Sequence, residues 1–328
     1  MKAFEYVGAK SVEQAVKALT SGSAAMAGGT DLINRMKDYV TSPDRVVYLN
    51  DVKELAGISG DSGTGLTILS GTRLSDLLAN DSIKKSYPAL WQTASEVGTP
   101  QIRNMATIGG NLMQHPRCWY YRSGFGLIPK SSDGKHMLRE GDNRYASIFM
   151  TDGDALYAHP SSLAIPLIAL GAKATLIGPD GERTMDVAEL YKVPTSNTES
   201  PFASRPGEIL KSVSVPAAAG KNGSFEARHK QAHDWPLVMA SASLTFSGDT
   251  VSDARVVVYG VAPLPWRSKA AEEAIKGKSV TLDSARAAGS AAAEGAKPLS
   301  MNGYKVAMLK TVITRTLCVT VGNRYWEV

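Results

Sequence analysis

Cysteine is scarce: Cys118 and Cys318 are the only two in 328 residues, and neither belongs to a Cys-x-x-Cys pair. So small a set excludes a disulfide scaffold and fits a reducing compartment. Long apolar runs are also missing. The longest, Leu163 to Ala172, is interrupted by Pro166 and followed at once by Lys173, far short of the roughly 20 residues a membrane span requires. The N-terminus, MKAFEYVGAKSVEQAV, puts Lys and Glu where an export signal needs an unbroken apolar core, so a cytoplasmic location is expected. There is no run of Lys and Arg interleaved with aromatics. The formal charge of +5 is spread along the chain, which argues against nucleic acid and suits an anionic phosphate ligand. No G-x-S-x-G elbow, H-E-x-x-H pair or G-x-G-x-x-G fingerprint is present, and Gly277-Lys278-Ser279 has Glu272 where a P-loop needs glycine, so hydrolase, zinc-protease, Rossmann and P-loop readings fall away.

What is present is enough apolar material, 43% of the chain, to bury a sizeable core in two or three units. The first unit, residues 1–57, alternates short strands and helices: Phe4 to Val7 extended, a helix capped by Ser11, Ala24 to Ala27 extended, a helix through Leu32 and Met36, and the β-branched strand Arg45 to Leu49. The second, residues 58–208, opens with a hairpin around Ser59 to Gly65 and continues through helices at Leu74 to Leu78 and Pro88 to Val97. A long irregular segment at 115–143 follows, then a helix at Leu163 to Leu170 begun by Ser161 or Ser162, and a strand Ala174 to Ile177 ending in Gly178-Pro179-Asp180-Gly181. The third, residues 209–328, reads as strands at Ile209 to Val215, Val238 to Phe246 and Val251 to Val261, then helices from Ser268 to Leu317, giving an antiparallel sheet with helices on one side.

The sharpest local signal is Ala27-Gly28-Gly29-Thr30-Asp31-Leu32, a strand running through a glycine pair into a helix. Two glycines let the backbone turn so that successive N–H groups converge on an anion at the helix start; Thr30 adds a hydroxyl, and Asp31 can cap the helix. The device returns in Thr107-Ile108-Gly109-Gly110-Asn111-Leu112, preceded by Pro100-Gln101-Ile102-Arg103-Asn104. Two such loops suggest one diphosphate ligand held from both sides. His229, Lys230 and His233 read as solvent-facing or contact residues, and Trp235 and Trp266 as core or interface aromatics.

AGGTDL at 27–32 and PQIRNMATIGGNL at 100–112, with FEARHKQAHDWPLV at 225–238, GVAPLPWRSKAAEEAIKG at 260–277 and NGYKVAMLKTVITRTL at 302–317, resemble the FAD-binding medium subunit of the xanthine dehydrogenase and carbon monoxide dehydrogenase family of molybdenum hydroxylases. The resemblance implies an α+β fold: a vanillyl-alcohol-oxidase-type FAD-binding domain of two α/β subdomains, then a C-terminal antiparallel sheet with helices. It implies FAD held by Ala27, Gly28, Gly29, Thr30, Asp31 and Leu32 from one loop and Ile102, Asn104, Thr107, Gly109, Gly110 and Asn111 from the other. No catalytic residue or metal ligand is expected on this chain. The partners implied are a small [2Fe-2S] subunit and a large molybdopterin subunit, in a heterotrimer or a dimer of heterotrimers, with export to the periplasm only alongside a partner. A free-standing flavin oxidoreductase and a cofactor-free assembly subunit are the competing readings.

The branch carrying 4-hydroxybenzoyl-CoA reductase and periplasmic aldehyde oxidoreductase flavoprotein subunits is most similar, and its members hold a [4Fe-4S] cluster on four cysteines in an inserted loop. Here Cys118-Trp119-Tyr120-Tyr121-Arg122 and Gly141-Asp142-Asn143-Arg144-Tyr145 keep that loop's flanks, but 122–140 contains no cysteine. One thiolate cannot hold a cubane cluster. A zinc ion on His115, Cys118 and His136 would lack any matching ligand spacing. Ser162 stands where the related pattern usually has Asp.

Overall fold

The computed structural model describes residues 1–323. Three sheets organise it. The first is parallel, with β1 (Glu5–Gly8) and β2 (Ser23–Met26) flanking β3 (Arg45–Tyr48) in the order β1-β3-β2. Helix Val12–Ala18 makes the crossover from β1; Ser11 caps it, its hydroxyl accepting from the Gln14 N–H.

The second sheet is antiparallel, in the order β4-β5-β8-β6-β7, from β4 (Ile58–Asp61), β5 (Gly65–Leu69), β6 (Lys173–Gly178), β7 (Gly181–Asp186) and β8 (Ile209–Val215). The expected hairpin at 58–69 is there, and the expected turn at Gly178-Pro179-Asp180-Gly181 leads into a returning strand that was not foreseen; Gly65 and Gly181 supply the positive φ (94° and 96°) that the two turns need. One boundary moves. Ile209–Val215, placed by sequence at the head of the third unit, is instead the central strand of this sheet, paired with β5 on one side and β6 on the other. Its buried Leu210, Val213 and Val215 belong to the same core as Leu66, Ile68, Ala174 and Leu176.

The third sheet, in the order β12-β11-β10-β9, therefore begins only at β9 (Lys221–Ala227), with β10 (Val238–Ser247), β11 (Thr250–Tyr259) and β12 (Trp266–Arg267). Alternate residues of β10 explain its two covered faces. Val238, Ala240, Ala242 and Leu244 pack with residues of the helices Lys269–Ile275, Leu282–Ala292 and Tyr304–Thr320, whereas Met239, with Val257 and Tyr259, packs against Ile165 and Ala169 of the helix Ala164–Ala169. Helices thus lie on both sides of this sheet rather than one, the second side being covered from the preceding unit. Helix Pro88–Glu96 completes the joint: Asn222 Oδ1 accepts from the Ala89 N–H at 2.9 Å, and Ser224 Oγ donates to the Ala89 carbonyl at 3.0 Å.

Candidate cofactor site

The two glycine loops touch. A Cβ on Gly28 would overlap the Met105 carbonyl oxygen and crowd the Ala106 nitrogen at 3.2 Å, so the first loop packs backbone to backbone against the approach to the second. Gly29 then turns with φ 72°, and helix Leu32–Lys37 begins. In the second loop Thr107 caps the helix Ile108–Leu112, its Oγ accepting from the Gly110 N–H at 3.1 Å. Gly109 is pressed onto Ser70, where a Cβ would meet the serine Cβ at 2.8 Å. Gly110 is different: its imagined Cβ meets only Thr107 Oγ, at 3.2 Å, and the residue opens onto solvent.

A cleft of about 230 Å³ opens over both loops. Of the twelve residues expected from sequence, Thr30, Asp31, Ile102, Gly110 and Asn111 line it. The other seven sit behind or beside its lining: Ala27, Gly28 and Gly29 form the turn, Thr107 and Gly109 fix the second helix, Leu32 is buried with Met36 and Val46, and Asn104 ends the helix Pro100–Arg103 as an exposed residue. Asn111 contributes less freely than expected, because its Oδ1 already accepts from Ser161 Oγ at 2.8 Å and from the Leu163 N–H at 3.3 Å. Ser161 Oγ in turn accepts from the Ala164 N–H at the first residue of the next helix, whose N-cap position is Leu163.

Asp31 does not cap its helix. Its backbone is helical and its side chain makes no capping bond. The carboxylate faces three guanidiniums instead: Arg35 Nε at 3.1 Å, Arg117 Nη2 at 3.2 Å and Arg122 Nη2 at 2.7 Å, and it also accepts from the His115 N–H at 3.1 Å. Burial alone would raise this carboxyl, but Arg117, Arg122 and Arg35 together outweigh burial and hold it below its ordinary value. Of the three only Arg117 lines the cleft, alongside the acidic Asp31, Glu96, Glu226 and Asp234; its guanidinium is the group that could pair with a diphosphate. Arg117 is itself pushed down to about 10, chiefly by burial. His115, buried among these arginines, falls to about 3 for the same first reason and is neutral.

The cleft's far wall comes from the third sheet and was not foreseen. Glu226 of β9 lines it, with His233, Asp234, Trp235 and Pro236 from the irregular connection between β9 and β10. Burial pushes the Glu226 carboxyl up to about 7 against the pull of Arg228. Its Oε1 lies 3.0 Å from Arg228 Nη1, yet the alignment is not that of a hydrogen bond, and this oxygen has no hydrogen-bond partner among the described residues. His233 is exposed at the rim in the left-handed region (φ 55°), His229 lies on a second cavity, and Lys230 lines neither. Trp235 is 39% exposed rather than core, and covers Arg117 at 4.5 Å; Trp266 stacks on Phe149 at 4.6 Å in the C-terminal core.

The segment 115–143 carries two short helices, Trp119–Arg122 and Met137–Glu140. Cys118 lies between two apolar clusters, one of Tyr121, Leu127, Ala155 and Tyr157, the other of Leu138, Ala146 and Leu156, and burial pushes its thiol up. His136 is occupied by the Asp154 carbonyl at 2.7 Å and the Leu138 N–H at 3.2 Å. Among the described residues no three His, Cys, Asp or Glu side chains gather as a metal set.

The family model described as the FAD binding domain in molybdopterin dehydrogenase matches residues 2–218, and that of the CO dehydrogenase flavoprotein C-terminal domain matches 223–318. The junction between them agrees with β8 closing one unit and β9 opening the next. The chain is 28% identical to the aldehyde oxidoreductase FAD-binding subunit PaoB of Escherichia coli, covering 97% of this chain and 98% of that one. It is 27% identical to the carbon monoxide dehydrogenase medium chain of Hydrogenophaga pseudoflava, covering 96% of each. A solved structure of carbon monoxide dehydrogenase from Hydrogenophaga pseudoflava superposes with a TM-score of 0.75 at 26% identity over 98% of both chains. Quinoline 2-oxidoreductase from Pseudomonas putida shares the fold, with a TM-score of 0.76 at 21% identity over 98% of both chains. The chain belongs to the family of FAD-binding subunits of molybdopterin dehydrogenases, with the FAD domain followed by the flavoprotein C-terminal domain.

Proposed function

We propose that this chain is the FAD-carrying electron-transfer subunit of a molybdenum hydroxylase complex, accepting electrons from a [2Fe-2S] subunit and delivering them to an external acceptor, while a separate molybdopterin subunit oxidises the organic substrate. The observation that carries the reading is the meeting of the two glycine loops beneath one cleft, with Gly110 left bare where a side chain would fill the space and Arg117 on its lining.

The residues present fit FAD. Thr30, the Gly110 backbone and Arg117 would hold the diphosphate; Gly28 and Gly29 set the turn that brings the first loop to it; Ile102 and Ala106 give the cleft an apolar side. Bound there, FAD supplies the reversible redox chemistry that links two-electron substrates to one-electron carriers. The protein's own work is to anchor, orient and shield. Asp31 gathers the arginines, and Trp235 covers Arg117 from solvent. No general base is required of any side chain. Assembly as a heterotrimer or its dimer, in the cytoplasm, completes the reading and is in keeping with two unpaired cysteines; no helix among the described residues is long and apolar enough to cross a membrane.

The test is to mix the FAD-loaded chain with a reduced [2Fe-2S] partner purified from the same complex and follow flavin absorbance. Bleaching by the reduced partner, with no turnover of aldehydes or aromatic heterocycles by the isolated chain, is expected. Turnover of such a substrate by the isolated chain would establish a free-standing oxidoreductase instead.

A further inference from the structure

The cofactor cleft has one wall that the backbone leaves loose. Residues 228–236 connect β9 to β10, and among the described residues no N–H or C=O of this stretch is bonded to another backbone group; the Leu237 N–H closes the loop on the Ala227 carbonyl at 2.8 Å. Five consecutive residues, His229 to His233, are exposed, and His233 stands in the left-handed region at φ 55°. A segment with no hydrogen-bond ladder and little buried surface opens at small free-energy cost.

Side chains at its two ends hold it instead. At its foot Arg228 donates to the Glu96 carbonyl at 3.2 Å and pairs with the Glu96 carboxylate and, at 3.0 Å, with Glu226. At the other end Trp235 lies over the Arg117 guanidinium at 4.5 Å. Between them the loop is tied to itself, because the Asp234 carboxylate accepts from the Lys230 N–H at 3.1 Å and from the Trp235 N–H at 2.9 Å. Such a stretch moves as a unit. Its place is on the cleft, which His233, Asp234, Trp235 and Pro236 line, whereas the glycine side is fixed, with Gly28 pressed on the Met105 backbone and Gly109 on Ser70. At about 230 Å³ the cleft falls below the roughly 300 Å³ at which drug-sized pockets begin, so a dinucleotide enters only when a wall gives way.

We propose that residues 228–236 form a lid on the cofactor cleft, latched by Trp235 on Arg117, which swings out to admit FAD and settles back against it to slow its escape. The lid rests on the functional reading above, since it describes how that site takes up and keeps its cofactor. Trp235 acts through Arg117 and is a positioning residue. Without its ring the cation–π contact is lost, and the loop keeps only its Arg228 foot. A latched lid limits uptake to the fraction of chains that stand open, so unlatching speeds entry as well as exit. A ring that merely touched the cofactor would, on removal, speed exit alone.

The test uses the full chain and FAD, with association and dissociation followed by flavin fluorescence in the parent, Trp235→Ala and Trp235→Phe. Trp235→Ala is expected to associate at least about threefold faster and to dissociate about tenfold faster, while Trp235→Phe, which keeps an aromatic face over Arg117, stays within about twofold of the parent in both. A second measurement, on the parent alone, compares trypsin cleavage after the exposed Lys230 with cleavage after the exposed Lys278, which lies between the helices Lys269–Ile275 and Leu282–Ala292. FAD slows both cuts by stabilising the fold, and the lid predicts that Lys230 is slowed at least about threefold more. If FAD binds but Trp235→Ala associates less than about threefold faster, or Lys230 gains less than about threefold extra protection, the lid is overturned and the functional reading stands. Where circular dichroism shows Trp235→Ala unfolded, the trypsin comparison decides. A chain that takes up no FAD overturns the lid and the functional reading together.

Discussion

Asp31 and Arg122, 91 residues apart in sequence, meet at 2.7 Å. One stands just after the first glycine loop and the other ends the Trp119–Arg122 helix, so the pair ties the segment 115–143 to the cofactor loop. That segment has no cysteine from Arg122 to Glu140, and it delivers Arg117 and Arg122 to the Asp31 carboxylate. Its task there is electrostatic and architectural.

Removing the anion should therefore cost more than a surface ion pair. Asp31→Asn strands three guanidiniums, and a loss of about 3 kcal/mol in urea-unfolding free energy is expected. In the parent, a carboxyl held below its ordinary value binds fewer protons folded than unfolded. Its stabilisation is fully present above the usual carboxylate pKa of about 3.8 and is lost as pH falls through the lower folded value. Asp31→Asn should flatten that acid limb; an unchanged limb would separate Asp31 from acid stability.

Gly28 and Gly110 differ in what an added methyl would meet. Gly28→Ala drives a Cβ into the Met105 carbonyl, a backbone group that cannot swing away, so destabilisation by about 3 kcal/mol or more is expected. Gly110→Ala meets only Thr107 Oγ at 3.2 Å and lies in a helix, so stability should stay within about 1 kcal/mol. Its methyl projects into the cleft, and FAD affinity should drop at least about tenfold, about 1.4 kcal/mol. Thermal unfolding and FAD titration on the two variants separate loop packing from ligand contact.

Glu226 sets a second pH dependence, of opposite sign. A carboxyl raised to about 7 binds a proton more tightly folded than unfolded; its stabilisation is complete below the usual value of 4.5 and is lost as pH rises through about 7. The change is on the order of 3 kcal/mol, and the raised value already includes the opposing pull of Arg228 at 3.0 Å. Glu226→Gln should remove that slope. Chemical unfolding at pH values across the interval checks it, and an unaltered slope would assign the titration elsewhere.

Lys305 is a buried strut. Lys305→Met leaves the Tyr145 and Gly260 carbonyls without the ammonium, while the Ala146 carbonyl keeps its bond from Asn302 Nδ2 at 3.1 Å. A loss of about 2–4 kcal/mol is expected, read as a lowered urea midpoint with an unchanged slope.

What could be read from sequence followed the range of the interactions involved. The glycine loops, the Ser11 cap, the hairpin at 58–69 and the turn at 178–181 depend on neighbours in the chain, and the structure has them. The position of Ile209–Val215 was not legible, because its partners Leu66–Leu69 and Lys173–Ile177 are chosen by a shared core and not by local preference. The same holds for Asp31: a helix cap is the local option for such a residue, but Arg117 and Arg122 from a distant segment, with Arg35 one turn on, outweigh it. Arg117 and Glu226 carried no spacing signal. Lys305 did carry one, since it falls in phase with Leu309, Val312, Ile313 and Thr316 on the buried face of its helix.

The most direct test of the central claim is an absorption spectrum of the purified chain followed through titration with FAD. Saturation at one FAD per chain, with flavin bands that persist through gel filtration and are lost in the Gly110→Ala variant, is the predicted result. A colourless protein that takes up no added FAD would contradict the assignment of the cleft and, with it, the proposed role in electron transfer.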